Sequence, residues 1–99
     1  MKADFISKVG VYGQMHYHYL KENKPTVLVV MRMKGTLKPY LEEVNQNAEE
    51  MLARLETEMA KSEGVTEALK RQDQMAWVQR KNHIRTRAME IVQQEVIFV

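Results

Sequence analysis

The sequence predicts an all-α fold, and three observations support that prediction. Apolar residues recur every three or four positions across residues 37–63, which is the spacing of one helix face. Residues 67–96 contain no proline or glycine and carry apolar residues at helical spacing. No two segments have the pattern of partner strands. The four predicted helices lie near residues 10–22, 25–34, 37–63 and 66–96.

A chain of 99 residues suits one helical domain over residues 1–99, because it can bury a single modest core. Residues 1–8 are predicted to be a loosely ordered leader, and residues 97–99 an apolar tail. Between them we expect two short helices over residues 10–34 and a long helical hairpin over residues 37–96.

The sequence marks the first two helices with unequal clarity. One face of the first helix is formed by Tyr12, Met15, His16, Tyr19 and Leu20. The next segment, PTVLVVMRMKG, is ambiguous between helix and strand over residues 26–34. Its β-branched residues favour a strand, whereas Pro25 at its start and Gly35 at its end favour a short helix. We predict a helix, because a lone strand would have no partner.

The third helix has the clearest pattern. Its apolar positions are Leu37, Leu41, Val44, Ala48, Met51, Leu52, Leu55 and Met59. Thr36 is the predicted N-cap, and Pro39 lies in the first turn, where a backbone N–H has no partner to lose. Gly64 is the predicted stop, because glycine adopts a left-handed conformation without a steric penalty.

The fourth helix, with Thr66 as its predicted N-cap, follows the third after only a few residues. So short a connection predicts that the two fold back as an antiparallel hairpin. Each helix would be roughly 40–45 Å long, too long for the remaining residues to cover. We therefore expect a homodimer that completes a bundle. The predicted interface residues are Met75, Trp77, Val78, Ile84, Met89 and Val92.

Composition excludes several classes of protein. Cysteine is absent, so the chain can form neither a disulfide framework nor a thiolate zinc site. The longest apolar run, VLVVM, is far shorter than the ~20 residues that a membrane helix needs. The first ten residues lack the apolar core of a secretory signal. We expect a soluble cytoplasmic protein that does not contact a membrane.

The histidines do not form a recognisable metal or catalytic site. His16 and His18 are two residues apart, so on a helix they point to opposite sides, with His16 semi-buried and His18 in solvent. No serine lies in a nucleophile elbow, and Gly10 with Gly13 is a weak phosphate-loop motif. We therefore expect no enzyme activity, no metal and no cofactor.

The segment RKNHIRTR, residues 80–87, is the strongest candidate for a ligand-binding site. Its four fixed positive charges fall within about 12 Å of helix, a density that suits contact with DNA phosphates. Lys81 and Arg85 fall within the predicted apolar arc, where a charge must snorkel, pair or meet a ligand. The predicted nucleic-acid-binding residues are Arg80, Lys81, His83, Arg85, Arg87, Lys70 and Arg71.

The same charges also allow a structural interpretation. Residues 36–66 hold seven carboxylates against three cations, so the third helix is acidic where the fourth is basic. If the hairpin turns at residues 64–65, Arg80 faces the carboxylates at 49–50 and Arg87 faces those at 42–43. Exposed pairs of this kind are each worth only ~0–1 kcal/mol. Pairing within the hairpin or dimer and contact with DNA both stay open at this point.

Three stretches of the sequence resemble one known family. They are HYLKENKP at 18–25, KGTLKPYLEEVNQNAEE at 34–50, and the segment at 59–99 that begins MAKSEGVTE and ends EVIFV. Together they resemble the TnpV family, small proteins encoded within bacterial transposons, across residues 10–99. The resemblance implies residence in a mobile element and a role accessory to transposition, with no catalytic or ligand residues to carry over.

The sequence leads to two functional hypotheses. The first is a non-enzymatic accessory protein of a bacterial transposon, which acts in transposition or excision by binding DNA through the basic helix. The second is a helical protein-interaction module or regulator, which docks on a transposon-encoded recombinase without binding DNA.

Overall fold

The computed structural model describes residues 8–99, and within that range the chain consists of helices and short connections with no strand. The all-α prediction is therefore confirmed, and the ambiguous segment at 26–34 is helical. The predicted leader lies outside the described residues except for Lys8. The helices are α1 Val11–Asn23, α2 Pro25–Lys34, α3 Leu37–Ser62, α4 Glu67–Gln72 and α5 Gln74–Val92, followed by a π-helical turn at Gln93–Ile97.

α3 provides the long axis of an elongated molecule. The principal extents are 55 × 24 × 18 Å, and the radius of gyration is 17.0 Å, whereas a compact domain of about 100 residues has one near ~13 Å. The buried side of α3 comprises Leu37, Leu41, Val44, Ala48 and Leu52, as its periodicity predicts. α1 and α5 both pack on α3, so they share this one apolar surface.

The predicted continuous helix over residues 66–96 is wrong, because Asp73 interrupts it. Asp73 leaves the helical conformation, with φ −151° and ψ 88°, and its Oδ1 accepts a hydrogen bond of 3.1 Å from the N–H of Ala76. An aspartate can cap a new helix in this way instead of continuing the old one. The result is a short α4, a break at Asp73 and then α5.

The break changes how α5 lies on α3. Arg85 Nη1 is 3.1 Å from Glu56 Oε2, and Arg87 Nη2 is 2.6 Å from Glu63 Oε2. The predicted register, in which Arg87 faces residues 42–43, is therefore wrong. Residues 67–72 were expected to pack along α3, but they form the separate helix α4. The two observed pairs place the middle of α5 beside the last turns of α3. α4 and the start of α5 therefore lie beyond the end of α3.

All three predicted cap residues occupy the predicted positions. Gly64 follows α3 with φ +72°, and the Thr66 side chain accepts a hydrogen bond of 3.2 Å from the N–H of Leu69. Thr36 directly precedes α3, but its hydroxyl donates to the carbonyl of Met31 at 3.4 Å. Thr36 therefore helps to close the end of α2 and does not cap α3 with its side chain.

The N-terminus of α1 is capped by a side chain from another helix. Gly10 occupies the N-cap position and has no side chain to offer. Asn45 of α3 supplies the capping group instead. Its Oδ1 accepts hydrogen bonds from the N–H groups of Tyr12 at 2.9 Å and Gly13 at 3.2 Å. These N–H groups have no partner within their own helix. Asn45 thus fixes the start of α1 on the middle of α3.

The glycines at 10 and 13 explain how closely α1 approaches α3. Gly10 has φ +90°, and a Cβ there would overlap the Asn45 side chain. A Cβ at Gly13 would lie 2.8 Å from the carbonyl oxygen of Leu41. Both positions need glycine for backbone approach. The G-x-x-G pattern that weakly suggested a phosphate loop is therefore part of a helix contact.

His16 joins α1, α3 and the C-terminal turn. It is fully buried, and its Nδ1 lies 2.6 Å from the carbonyl oxygen of Ile97 while its Nε2 lies 2.7 Å from the hydroxyl of Tyr40. A carbonyl only accepts, so we assign the proton to Nδ1, which donates to Ile97. In the neutral tautomer, Nε2 then accepts from the Tyr40 hydroxyl. Both ring nitrogens are thereby satisfied without a buried charge.

Tyr40 is suited to this donor role. Burial raises the pKa of its phenol, and the nearby Glu43 carboxylate raises that pKa further. The hydroxyl therefore keeps its proton at neutral pH. Because the folded-state pKa lies above the unfolded value, the protonated phenol contributes stability that is fully present below pH ~10. That stability is lost as the pH rises through the folded-state pKa.

Replacement of Asn45 by alanine tests the interhelical cap. We expect Asn45→Ala to lower the free energy of unfolding by about 1–2 kcal/mol, because two backbone donors lose their acceptor. Urea unfolding followed by circular dichroism gives this value. The matched control is Asn47→Ala, an exposed position on the same helix, which we expect to change stability by less than about 0.5 kcal/mol. Equal effects of the two substitutions would contradict the role assigned to Asn45.

Replacement of Tyr40 by phenylalanine tests the His16 contact. At pH 7 we expect Tyr40→Phe to cost about 1–3 kcal/mol, because it leaves a buried ring nitrogen without its donor. Above pH ~10 the difference from the wild type should shrink, because the wild type itself loses the stability associated with the protonated phenol. Tyr17→Phe is the control, since the Tyr17 hydroxyl makes an exposed hydrogen bond to Arg32. A pH-independent difference for Tyr40→Phe would rule out this assignment.

Candidate nucleic-acid interface

The seven basic residues proposed for DNA lie on two helices. Lys70 and Arg71 lie on α4, and the other five lie on α5. Arg85 and Arg87 differ from the rest because each is paired with a glutamate of the preceding helical segment. The structural interpretation of the charges is therefore correct for these two arginines, although with different glutamates from those predicted.

Arg87 is less available than Arg85 for contact with DNA. Its side chain is partly buried, and its Nε is buried with no hydrogen-bond partner among residues 8–99. Arg85 keeps 59% of its side chain exposed while it contacts Glu56. Contact between DNA and either arginine would compete with its glutamate, and Arg87 would also have to leave its packed position.

Trp77 brings two other cations together. The Nζ of Lys70 lies 4.7 Å from the centroid of the Trp77 ring, and the Nζ of Lys81 lies 5.9 Å from it. Lys81 is half-buried, and its ammonium still reaches the ring. Cation–π contacts at exposed sites are worth only about 0.5–1 kcal/mol. Both lysines can therefore exchange the ring for a phosphate at small cost.

We define the basic end as residues 67–81, comprising α4 and the start of α5. Its cations are Lys70, Arg71, Arg80 and Lys81. Within the described chain none of these four takes part in an ion pair. Of the two carboxylates in the segment, Asp73 is occupied in capping α5 through one oxygen. The break at Asp73 therefore folds α4 against α5 and places cations from both helices at one end of the molecule.

The remaining histidines do not add a metal site. His18 and His83 are exposed, and His16 is buried with both nitrogens engaged. As predicted, His16 and His18 lie on opposite sides of α1. Across residues 8–99, no group of three histidine or carboxylate side chains is arranged to hold a metal ion.

The predicted dimer interface is only partly available. Ile84 and Val92 are fully buried in the core of the chain itself, so their assignment to an interface is wrong. The hairpin was expected to leave them uncovered, but α3 and the C-terminal turn pack over this side of α5. Trp77 and Met89 are half-buried. Met75 is 74% exposed, and Val78 is also exposed.

An exposed apolar surface on α2 was not predicted from the sequence. This helix buries Leu28 and half-buries Met31. Its other large apolar residues are exposed, namely Val27, Val29, Val30 and Met33. The signal was present in the run VLVVM, because a helix that is apolar on all sides is normally covered on all sides.

Among the helices of residues 8–99, none combines the length and apolar character that a membrane-spanning segment requires.

Comparison with known proteins adds one finding. Searches of the curated proteins and of the solved structures each found no match to the chain. A family model described as transposon-encoded protein TnpV matches residues 2–97, nearly the whole chain. The protein therefore belongs to the TnpV family of transposon-encoded proteins.

Proposed function

We propose that this chain is a non-enzymatic accessory protein of a bacterial transposon and that it binds DNA through the basic end. The observation that supports this is the approach of Lys70 and Lys81 to Trp77, in a segment whose four cations form no ion pair within residues 8–99. The family adds the transposon context. Transposition and excision are reactions on DNA, so an accessory protein with such a surface can act on the DNA directly.

The chemistry of the basic end suits phosphate contact. Lysine and arginine side chains neutralise backbone phosphates and release condensed counterions, which is the main source of affinity that is independent of DNA sequence. The four cations of the basic end form no ion pair within residues 8–99 and provide up to four such contacts. Trp77 lies among them and offers an aromatic face of the kind that stacks on unpaired bases. The basic end therefore suits a duplex or a strand exposed during excision.

The proposed site differs from the one that the sequence suggested. Arg80, Lys81, Lys70 and Arg71 stay in it, whereas Arg85 and Arg87 move to a structural role in joining α5 to the end of α3. An arginine already paired with a carboxylate gains less from a phosphate, because the first pair must break. Unpaired cations carry no such penalty.

A second candidate function is a helical protein-interaction module that docks on a transposon-encoded recombinase or regulator. The exposed apolar residues of α2 favour it, since contiguous apolar surface on a small protein commonly marks a contact site. This candidate needs no DNA affinity. Measurement of DNA binding at two salt concentrations separates the two functions.

Fluorescence anisotropy with labelled transposon-end DNA, as duplex and as single strand, tests the DNA proposal. We expect the wild type to bind at 50 mM NaCl and to lose affinity steeply by 200 mM. For the triple variant Lys70→Gln/Arg80→Gln/Lys81→Gln, we expect affinity at least ten-fold weaker at 50 mM. The slope of log K against log [salt] should become shallower by about three, since three phosphate contacts are removed.

Two variants serve as controls for that experiment. Lys8→Gln/Lys21→Gln/Arg54→Gln removes the same charge at exposed positions outside the basic end, and it should weaken binding no more than three-fold. Arg85→Gln/Arg87→Gln should likewise keep most of the affinity, because these arginines are already paired. Equal losses of affinity in the two triple variants would show that DNA binding depends on the net charge of the protein and not on the basic end. No binding by the wild type at 50 mM would reject the DNA proposal and favour the second candidate.

A further inference from the structure

Trp77, the only tryptophan of the chain, lies outside the apolar core. Two clusters of buried apolar residues make up most of the core within residues 8–99, and Trp77 packs against neither of them. The residue is half-buried near the start of α5. A tryptophan side chain usually stabilises a protein by burying its large apolar area. Core packing therefore does not account for a tryptophan at this position.

The groups that contact the Trp77 ring are cations from two helices. Lys70 belongs to α4 and Lys81 to α5, and their Nζ atoms lie 4.7 Å and 5.9 Å from the ring centroid. Neither ammonium takes part in an ion pair within residues 8–99. Cation–π contacts outside a core are weak. A ligand that offers a stronger partner to each ammonium can therefore displace the lysines and uncover the ring.

A nucleotide with an unpaired base carries both groups that this arrangement can bind. Its phosphate is a stronger partner for an ammonium than an aromatic ring is, and its base has a π face that stacks on an indole. In a duplex the faces of each base are covered by the neighbouring base pairs. A duplex can therefore use the ammonium groups but not the ring. The arrangement is complementary to a strand whose bases are exposed.

The backbone that carries Trp77 is already ordered for such a contact. Asp73 accepts a hydrogen bond from the N–H of Ala76 through its side chain at 3.1 Å, and one from the N–H of Trp77 through its carbonyl at 3.0 Å. These bonds form the first turn of α5, so the ring projects from a capped helix and not from a loop. A preordered contact group loses little conformational entropy when it binds a ligand.

We infer that the basic end prefers single-stranded DNA to duplex DNA, and that an unpaired base stacks on Trp77. This inference rests on the proposed DNA function and adds the form of DNA that the site takes. The cations of the basic end contact the phosphates of either form, whereas the ring adds affinity only for a strand with exposed bases. Every base has a π face, so the contact requires no particular sequence.

Trp77 fluorescence tests the inference directly, because no other tryptophan contributes to the emission. The probes are a twelve-nucleotide oligo(dT), an abasic strand and a duplex of the same length, each at 50 mM NaCl. Anisotropy of a labelled probe measures binding, and quenching of Trp77 emission measures stacking. We expect oligo(dT) to quench the emission and to bind at least five-fold more tightly than the other two probes. The abasic strand engages the lysines without a base, so it should bind without comparable quenching.

Two substitutions of Trp77 separate its π face from its apolar bulk. Trp77→Leu should weaken binding of oligo(dT) at least five-fold and leave the affinity for the abasic strand within two-fold of the wild-type value. Trp77→Phe keeps an aromatic face and should retain most of the affinity for oligo(dT). Phe98→Leu is the matched control, since Phe98 is an exposed aromatic residue outside the basic end, and it should change no affinity by more than two-fold. Circular dichroism of each variant verifies the fold.

The possible failures can be told apart. Equal affinity of the wild type for oligo(dT) and the abasic strand, or binding of oligo(dT) without quenching, would overturn the inference and leave the DNA proposal intact. Tighter binding of the duplex than of oligo(dT) would do the same. If none of the three probes binds, the DNA proposal fails and the inference fails with it. The comparison of wild-type probes decides the matter even if Trp77→Leu does not fold.

Discussion

A buried imidazole that uses both of its nitrogens holds the ends of this chain together. His16 donates to the carbonyl of Ile97 and accepts from Tyr40, so it connects the first helix, the third helix and the C-terminal turn. The contact spans 81 residues of sequence. Without partners, a buried polar ring would be strongly unfavourable. With both partners, it allows only one relative position of the three segments.

The position of the C-terminal turn has consequences at the opposite end of the molecule. With Ile97 fixed against α1 and α3, α5 lies along α3 in one register, and two arginine–glutamate pairs fasten its middle to the last turns of α3. α4 and the start of α5 must then extend beyond α3. The fold thereby separates a packed region around His16 from a basic end whose cations have no carboxylate partner among residues 8–99.

The sequence predicts the local features of this fold well. Helix periodicity identifies α3, the glycine at 64 ends it, and the inward position of His16 follows from its place on the apolar side of α1. The break at Asp73 is different. An aspartate tolerates a helix interior and also caps a helix, and the packing of α4 against α5 decides between these conformations. The cap from Asn45 is likewise invisible locally, because its acceptor and donors are more than 30 residues apart.

The sequence predicts that the candidate site is basic, but it does not predict which of its cations are paired with carboxylates. A sequence shows that the last helix is basic, yet which cations are neutralised depends on the register of α5 against α3. That register follows from Asp73 and from the C-terminal turn, and neither has a periodic signal. Arg85 and Arg87 therefore pair with Glu56 and Glu63, whereas Lys70 and Lys81 both approach Trp77. The exposed apolar surface on α2 was overlooked because an apolar helix suggests a core position unless its surroundings are known.

We propose that the end of the molecule around His16 serves for packing and that the basic end contacts DNA. Amide chemical-shift mapping of the ¹⁵N-labelled protein, titrated with a transposon-end duplex at 50 mM NaCl, tests it most directly. We expect the shifts to concentrate within residues 67–81 and to include the indole N–H of Trp77, while His16 and its partners stay unperturbed. Shifts centred on α2, or spread evenly over every exposed lysine and arginine, would contradict it.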